Sequence, residues 1–61
     1  MNSNPAERIL RLPEVKIRTG LSRSGIYAKI EAGTFPRQKK LGLKIVGWYE
    51  SDVSEWIANP R

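Results

Sequence analysis

The densest run of cations and hydrogen-bond donors in this chain lies in its middle third. There Ser22, Arg23, Ser24, Tyr27 and Lys29 are followed by Arg37, Lys39, Lys40 and Lys44. Residues 21–40 carry five basic groups and one acidic one, in a chain whose formal charge is +5. Guanidinium and ammonium groups gathered this way neutralise phosphates, and a basic stretch on a small domain is the electrostatic footprint of a phosphate-backbone binder, although many solvated faces share it.

The remaining residues do not assemble into catalytic chemistry. Glu50, Asp52 and Glu55 cluster late in the chain, but no nucleophile or metal-ligand set accompanies them. Serines 22, 24, 51 and 54 have no histidine to activate them, and the glycines match neither a phosphate loop nor a dinucleotide fingerprint. With no cysteine or histidine, a thiolate zinc site and the commonest general base are both excluded. A chain of 61 residues buries only about 60% of the surface its unfolded form exposes, too little to close a reactive pocket. The expectation is a binding protein without cofactor, metal or small-molecule substrate. With no apolar run long enough for a signal peptide or a membrane span, the expected location is the cytoplasm.

The elements that must position the basic run can be read from caps and periodicity. Residues 1–7 are polar and aperiodic and read as a flexible tail; residues 8–61 form the domain. Ile9, Leu10 and Leu12 lie in an extended segment that lays apolar side chains on the core. Pro13 suits the start of a helix and Glu14 its positive end, so a first helix is expected over 13–19. Leu12, Val15 and Thr19 form its buried stripe, with Ile17 partly exposed beneath the tail. Gly20 then permits a tight corner, Ser22 caps a second helix over 23–32, and Gly33 suits the left-handed position after it. Ile26, Ile30 and Tyr27 face the core, leaving Arg23, Ser24, Ala28, Lys29 and Glu31 outside. Gly25 costs that helix roughly 0.8–1 kcal/mol relative to alanine. Close backbone approach to a nucleic acid and a loose first turn account for it equally.

Phe35 and Pro36 stop the second helix, and residues 37–41 and 46–49 read as a hairpin. Pairing Leu41 with Val46 across a four-residue loop places Leu41, Val46 and Trp48 on the core face, Lys40 and Gly47 outward and Lys44 near the tip. A three-residue loop puts Lys40 on the core face and is rejected on desolvation cost. Ser51 is expected to cap a last helix whose Val53, Trp56 and Ile57 form an apolar stripe. Trp48 and Trp56 fall on apolar faces and read as core anchors. The fold class is mainly α with a small β-hairpin, a winged helix-turn-helix of three short helices and a two-stranded wing.

In that fold the start of the second helix reaches base edges while surrounding cations hold phosphates. Arg23 can pair bidentately with guanine or clamp a phosphate without sequence preference, and both readings stand. Tyr27 can bury its ring and offer its hydroxyl to a phosphate. Arg37, Lys39, Lys40 and Lys44 either follow the backbone or form a merely solvated hairpin.

The order and spacing of several short motifs resemble the AlpA-like regulators of prophages, small relatives of phage excisionases with a MerR-like winged helix-turn-helix. These motifs are RLPEV at 11–15, TGLSRS at 19–24, Ile26-Tyr27, FPR at 35–37, KLG at 40–42 and the pattern W-x-x-S-D-V-x-x-W-I at 48–57. The resemblance spans about residues 9–57. It implies a regulator or recombination directionality factor acting on double-stranded DNA, with the second helix in the major groove and the wing beside it. Ser22, Arg23, Ser24 and Tyr27 match the family's recognition-helix positions, and Lys40 and Lys44 lie in its wing. The chain departs from the family's usual residues at Gly25 (threonine or serine), Ala28 (basic) and Gly47 (arginine). Self-association on repeated sites is a further expectation. The alternative is a protein-interaction module that sets the same basic face on an acidic partner.

Overall fold

The computed structural model describes residues 8–61; the polar segment 1–7 lies outside the described residues. The order of elements is β1 (Ile9–Leu10), α1 (Leu12–Thr19), α2 (Arg23–Glu31), β2 (Lys39–Lys40), β3 (Val46–Tyr49) and α3 (Glu50–Ala58).

Local chemistry accounts for the helix boundaries around the turn. Pro13 sits in the first turn of α1, where its missing amide forfeits no helical bond. Gly20 ends α1 at φ 74°, its amide donating to the Lys16 carbonyl at 2.8 Å. The Thr19 hydroxyl donates back to the Val15 carbonyl at 2.8 Å and accepts from the Leu21 amide at 3.2 Å, which stiffens the corner. The Ser22 hydroxyl accepts the Gly25 amide at 3.0 Å and opens α2. At the other end, Gly33 at φ 79° donates to Ile30 and Thr34 donates to Lys29, the paired bonds of a Schellman ending. Ala32 is therefore the cap of α2 rather than its last residue.

The sheet is three-stranded and antiparallel in the order β1-β3-β2, so the two-stranded wing gains a partner from the N-terminal segment. Ile9 pairs with Tyr49 and Leu10 with Trp48. The wing register also differs from expectation: Lys40 pairs with Val46 and Lys39 with Gly47, leaving residues 41–45 as the connection. Two contacts explain the shift. The Leu41 and Gly42 amides both donate to the Ile45 carbonyl, at 2.7 and 3.2 Å, which closes the loop one residue earlier on the first strand. Gly47 leaves a gap that Ile9 and Leu41 fill. A Cβ there would stand 2.5 Å from Ile9 Cγ2 and 3.0 Å from both Leu10 O and Leu41 Cδ1. Leu41 thus leaves the core face and Gly47 is buried rather than outward. Lys40 shares the face of Val46 and Trp48, yet lies at the outer end of the sheet and stays exposed, so the desolvation cost held against that placement does not arise.

The last helix begins directly from β3, with Tyr49 as its N-cap in place of Ser51. The Glu50 amide is satisfied by the Arg8 carbonyl at 2.8 Å, a bond from the far end of the chain. Val53 and Trp56 are buried, but Ile57 is 42% exposed and does not complete the stripe; Ile17 on α1 is 82% exposed.

Both tryptophans are core residues, and each indole also holds the connection between α2 and the wing. Trp48 Nε1 donates to the Pro36 carbonyl at 2.9 Å and Trp56 Nε1 to the Thr34 carbonyl at 2.7 Å. Phe35, between those carbonyls, is buried with its ring edge-on to Trp56 at 5.0 Å. The wing is thereby fixed relative to α2 through a segment with no secondary structure of its own. Leu10, Val15, Ile26, Ile30 and Val53 complete the core, which contains no buried polar or charged residue among the described residues.

Candidate nucleic-acid interface

The start of α2 is exposed, positively charged and held from beneath. Ser22, Arg23 and Ser24 face solvent. The Arg23 guanidinium lies 5.6 Å from the centroid of the Tyr27 ring, and that half-buried ring meets Trp48 edge-on at 6.4 Å. A flexible arginine is thus steered by an aromatic ring seated on the core. The first turn of α2 contains no acidic residue, so α2 itself does not offset the positive end of the helix. With its oxygen engaged by Gly25, Ser22 retains its hydroxyl proton for an anion.

The wing divides its cations between two faces. Lys40 is on the same sheet face as Val46 and Trp48, the face against which Tyr27 packs. Lys39, opposite Gly47, is on the other face with its ammonium 5.5 Å from the Tyr49 ring. Arg37 is exposed at the approach to the wing and Lys44 in the connecting loop. Among the described residues, none of Arg23, Arg37, Lys39, Lys40 and Lys44 forms an ion pair. Lys29 is placed differently. It is half-buried at the far end of α2, donating to the Arg61 carbonyl at 3.0 Å and lying 5.9 Å from the Trp56 ring. The structure therefore ties Arg23 to Tyr27 and, through Trp48, to the sheet face that carries Lys40, with Ser22 and Ser24 exposed on either side of Arg23, and it turns Lys29 toward Arg61 and Trp56.

The sequence reading takes residues 42–45 as a plain connection and so misses Leu43, which is 94% exposed. The signal was available: Leu41, Leu43 and Ile45 alternate through a turn, where polar residues and glycine are the norm.

A second charged region lies where α1, β1 and α3 meet. Arg18 donates to Glu14 at 3.1 Å and to Glu50 at 2.9 Å, and Arg8 approaches Glu50 at 3.9 Å. The Glu14 hydrogen bond, aided by Glu50, raises the Arg18 pKa above its already high ordinary value. A raised pKa adds stability that is complete below the ordinary arginine range and is lost only as pH rises through it, so this contribution is constant around neutrality.

A capped three-residue turn between two helices, followed by a hairpin locked against the second, defines a winged helix-turn-helix protein. The family model described as "Prophage CP4-57 regulatory protein (AlpA)" matches residues 8–61, and the chain belongs to that family. It is 42% identical over 64 residues to the DNA-binding transcriptional activator AlpA of Escherichia coli (strain K12), covering 95% of this chain and 91% of the relative. It is 54% identical over 52 residues to the uncharacterized protein ORF88 of Enterobacteria phage P4, covering 85% of this chain and 59% of the phage protein. No solved structure matches the chain significantly. Among the described residues, no helix is long and apolar enough to cross a membrane.

Proposed function

We propose that this chain is a sequence-specific double-stranded DNA-binding protein of a prophage or genomic island, a transcriptional regulator rather than an enzyme. The observation that carries this reading is the exposed positive start of α2, where Arg23 is steered by Tyr27 and forms no ion pair among the described residues. Support comes from the relative in Escherichia coli, which is named a DNA-binding transcriptional activator. In this reading α2 enters the major groove, Ser22, Arg23, Ser24 and Tyr27 contact bases and adjoining phosphates, and Arg37, Lys39, Lys40 and Lys44 follow the backbone. Lys29 contributes only if it leaves Arg61 and Trp56. The regulated gene is one for integration or excision, or the protein itself favours excision at an attachment site, with copies associating on repeated sites.

Selection of a duplex from a random pool, followed by fluorescence anisotropy across a salt series, tests the reading. The selected duplex binds about a thousandfold more tightly than random sequence, and log K falls against log salt by about 0.9 for each phosphate contacted. Equal, weak binding to both duplexes even at low salt overturns it and favours a protein partner for the same face. Adding the protein to an integrase-driven excision reaction, beside a reporter driven by the integrase promoter, separates the two finer roles.

A further inference from the structure

The wing loop presents three aliphatic side chains, of which two have a seat in the protein. Leu41, 45% exposed, leans with Ile9 over Gly47. Ile45, 43% exposed, lies over Gly42, where an added Cβ would come 3.6 Å from Ile45 Cδ1. Leu43, between them, is 94% exposed and rests on nothing. The turn that carries it is closed, since the amides of Leu41 and Gly42 share the Ile45 carbonyl. An apolar side chain is therefore held out in water, which forgoes the contribution that burial would give.

Its surroundings are cationic. Between Glu31 and Glu50 the charged residues are Arg37, Lys39, Lys40 and Lys44, with no carboxylate, and none of the four is ion-paired among the described residues. A partner for this tip has an anionic rim and an apolar interior. The tip belongs to the hairpin whose Trp48 meets Tyr27 of α2 and donates to the Pro36 carbonyl, so it is held at a fixed position relative to α2. Duplex DNA fits this description: two rows of phosphate border a narrow groove, and the apolar base faces stacked behind its floor open to a side chain that parts one step.

We infer that Leu43 is an apolar wedge that enters the minor groove and partly unstacks one base step, bending the duplex, while Lys40 and Lys44 hold the flanking phosphates. This inference rests on the DNA-binding reading above. Pyrimidine–purine steps unstack most readily, so the wedge selects sequence at a step where no side chain reads a base edge.

The test places the fluorescent adenine analogue 2-aminopurine at successive positions of the selected duplex and measures bending by energy transfer between its ends. The parent protein brightens the probe at one step and shortens the end-to-end distance. Leu43→Ser keeps the thermal unfolding curve of the parent, binds about five- to tenfold more weakly, and loses both signals. Ile17→Ser, a change at another largely exposed aliphatic side chain, on α1, keeps both. Binding by the parent without brightening or bending overturns the wedge alone, as does an unchanged bend with Leu43→Ser. A loss of cooperativity in Leu43→Ser with the brightening intact overturns it too, and assigns the tip to a neighbouring copy. Failure of the parent to bind any duplex overturns the DNA reading itself, and the wedge with it.

Discussion

The first turns of α2 and α3 solve the same electrostatic problem in opposite ways. At α3, Glu50 and Asp52 lie at the positive end of the helix, and Glu50 also receives Arg18 at 2.9 Å. Every charge there lowers the energy of the folded chain. At α2 the first turn holds Arg23 and no acid, so a cation sits at the positive end and, among the described residues, is relieved by the Tyr27 ring alone. A sequence selected for stability alone places a carboxylate at this position. The difference teaches that the fold concentrates its favourable electrostatics on one side and leaves uncompensated positive potential on the other, where an external anion supplies what the chain withholds.

The sharpest way to break this comparison is at Arg23. Arg23→Ala removes a cation from the unfavourable end of α2, so urea unfolding changes by less than about 0.5 kcal/mol. Binding to the selected duplex falls by about 1–3 kcal/mol, and footprints show relaxed preference at one base if the contact is to guanine. A large stability loss with unchanged binding reverses the roles assigned to the two helix starts. The mirror change is Glu50→Gln, which leaves Arg18 and Arg8 without their shared carboxylate. Because Arg8 is exposed and Arg18 and Glu50 are only part-buried, the expected result is a small drop in the urea midpoint, with DNA affinity unchanged or slightly higher.

Ser22→Ala joins the two properties. Losing the bond to the Gly25 amide costs about 1 kcal/mol of stability, and fraying the turn that carries Arg23 weakens DNA binding by a comparable factor. Stability and affinity fall together here, whereas at Arg23 and Glu50 they separate.

What the sequence reveals of this design depends on how local each cause is. The three helices, the left-handed Gly20 and Gly33, the Ser22 cap and the buried tryptophans follow from spacing and residue type within a few positions. The third strand does not, because a strand of two residues has no periodicity to read. The start of α3 was misread at Ser51 because the Glu50 amide is satisfied by Arg8, a partner 42 positions away in sequence. The wing register was misread because parity needs side chains on both faces, and Gly47 supplies none; its neighbours Ile9 and Leu41 decide the pairing by filling the gap. In the interface, residue types named the cations, but only the fold shows that Lys40 shares a sheet face with Trp48, on which Tyr27 rests, while Lys29 turns toward Arg61.

The finest test lies at Gly25, third residue of α2 and donor to the Ser22 cap. A Cβ there would meet Ser22 Oγ at 3.3 Å and Leu21 Cβ at 4.0 Å, and no other side chain within that range. Beyond the close approach to the capping hydroxyl, packing inside the protein does not require glycine, which leaves close approach of DNA and a loose first turn as the two readings that Gly25→Ala separates. In Gly25→Ala, the helix gains up to about 1 kcal/mol of propensity, partly offset by crowding of the capping hydroxyl, so the net stability change is below about 0.5 kcal/mol. Affinity for the selected duplex falls by more than that, because the added methyl meets the groove. A more stable variant that binds as tightly as the parent would return Gly25 to the loose-turn reading and confine the interface to side chains.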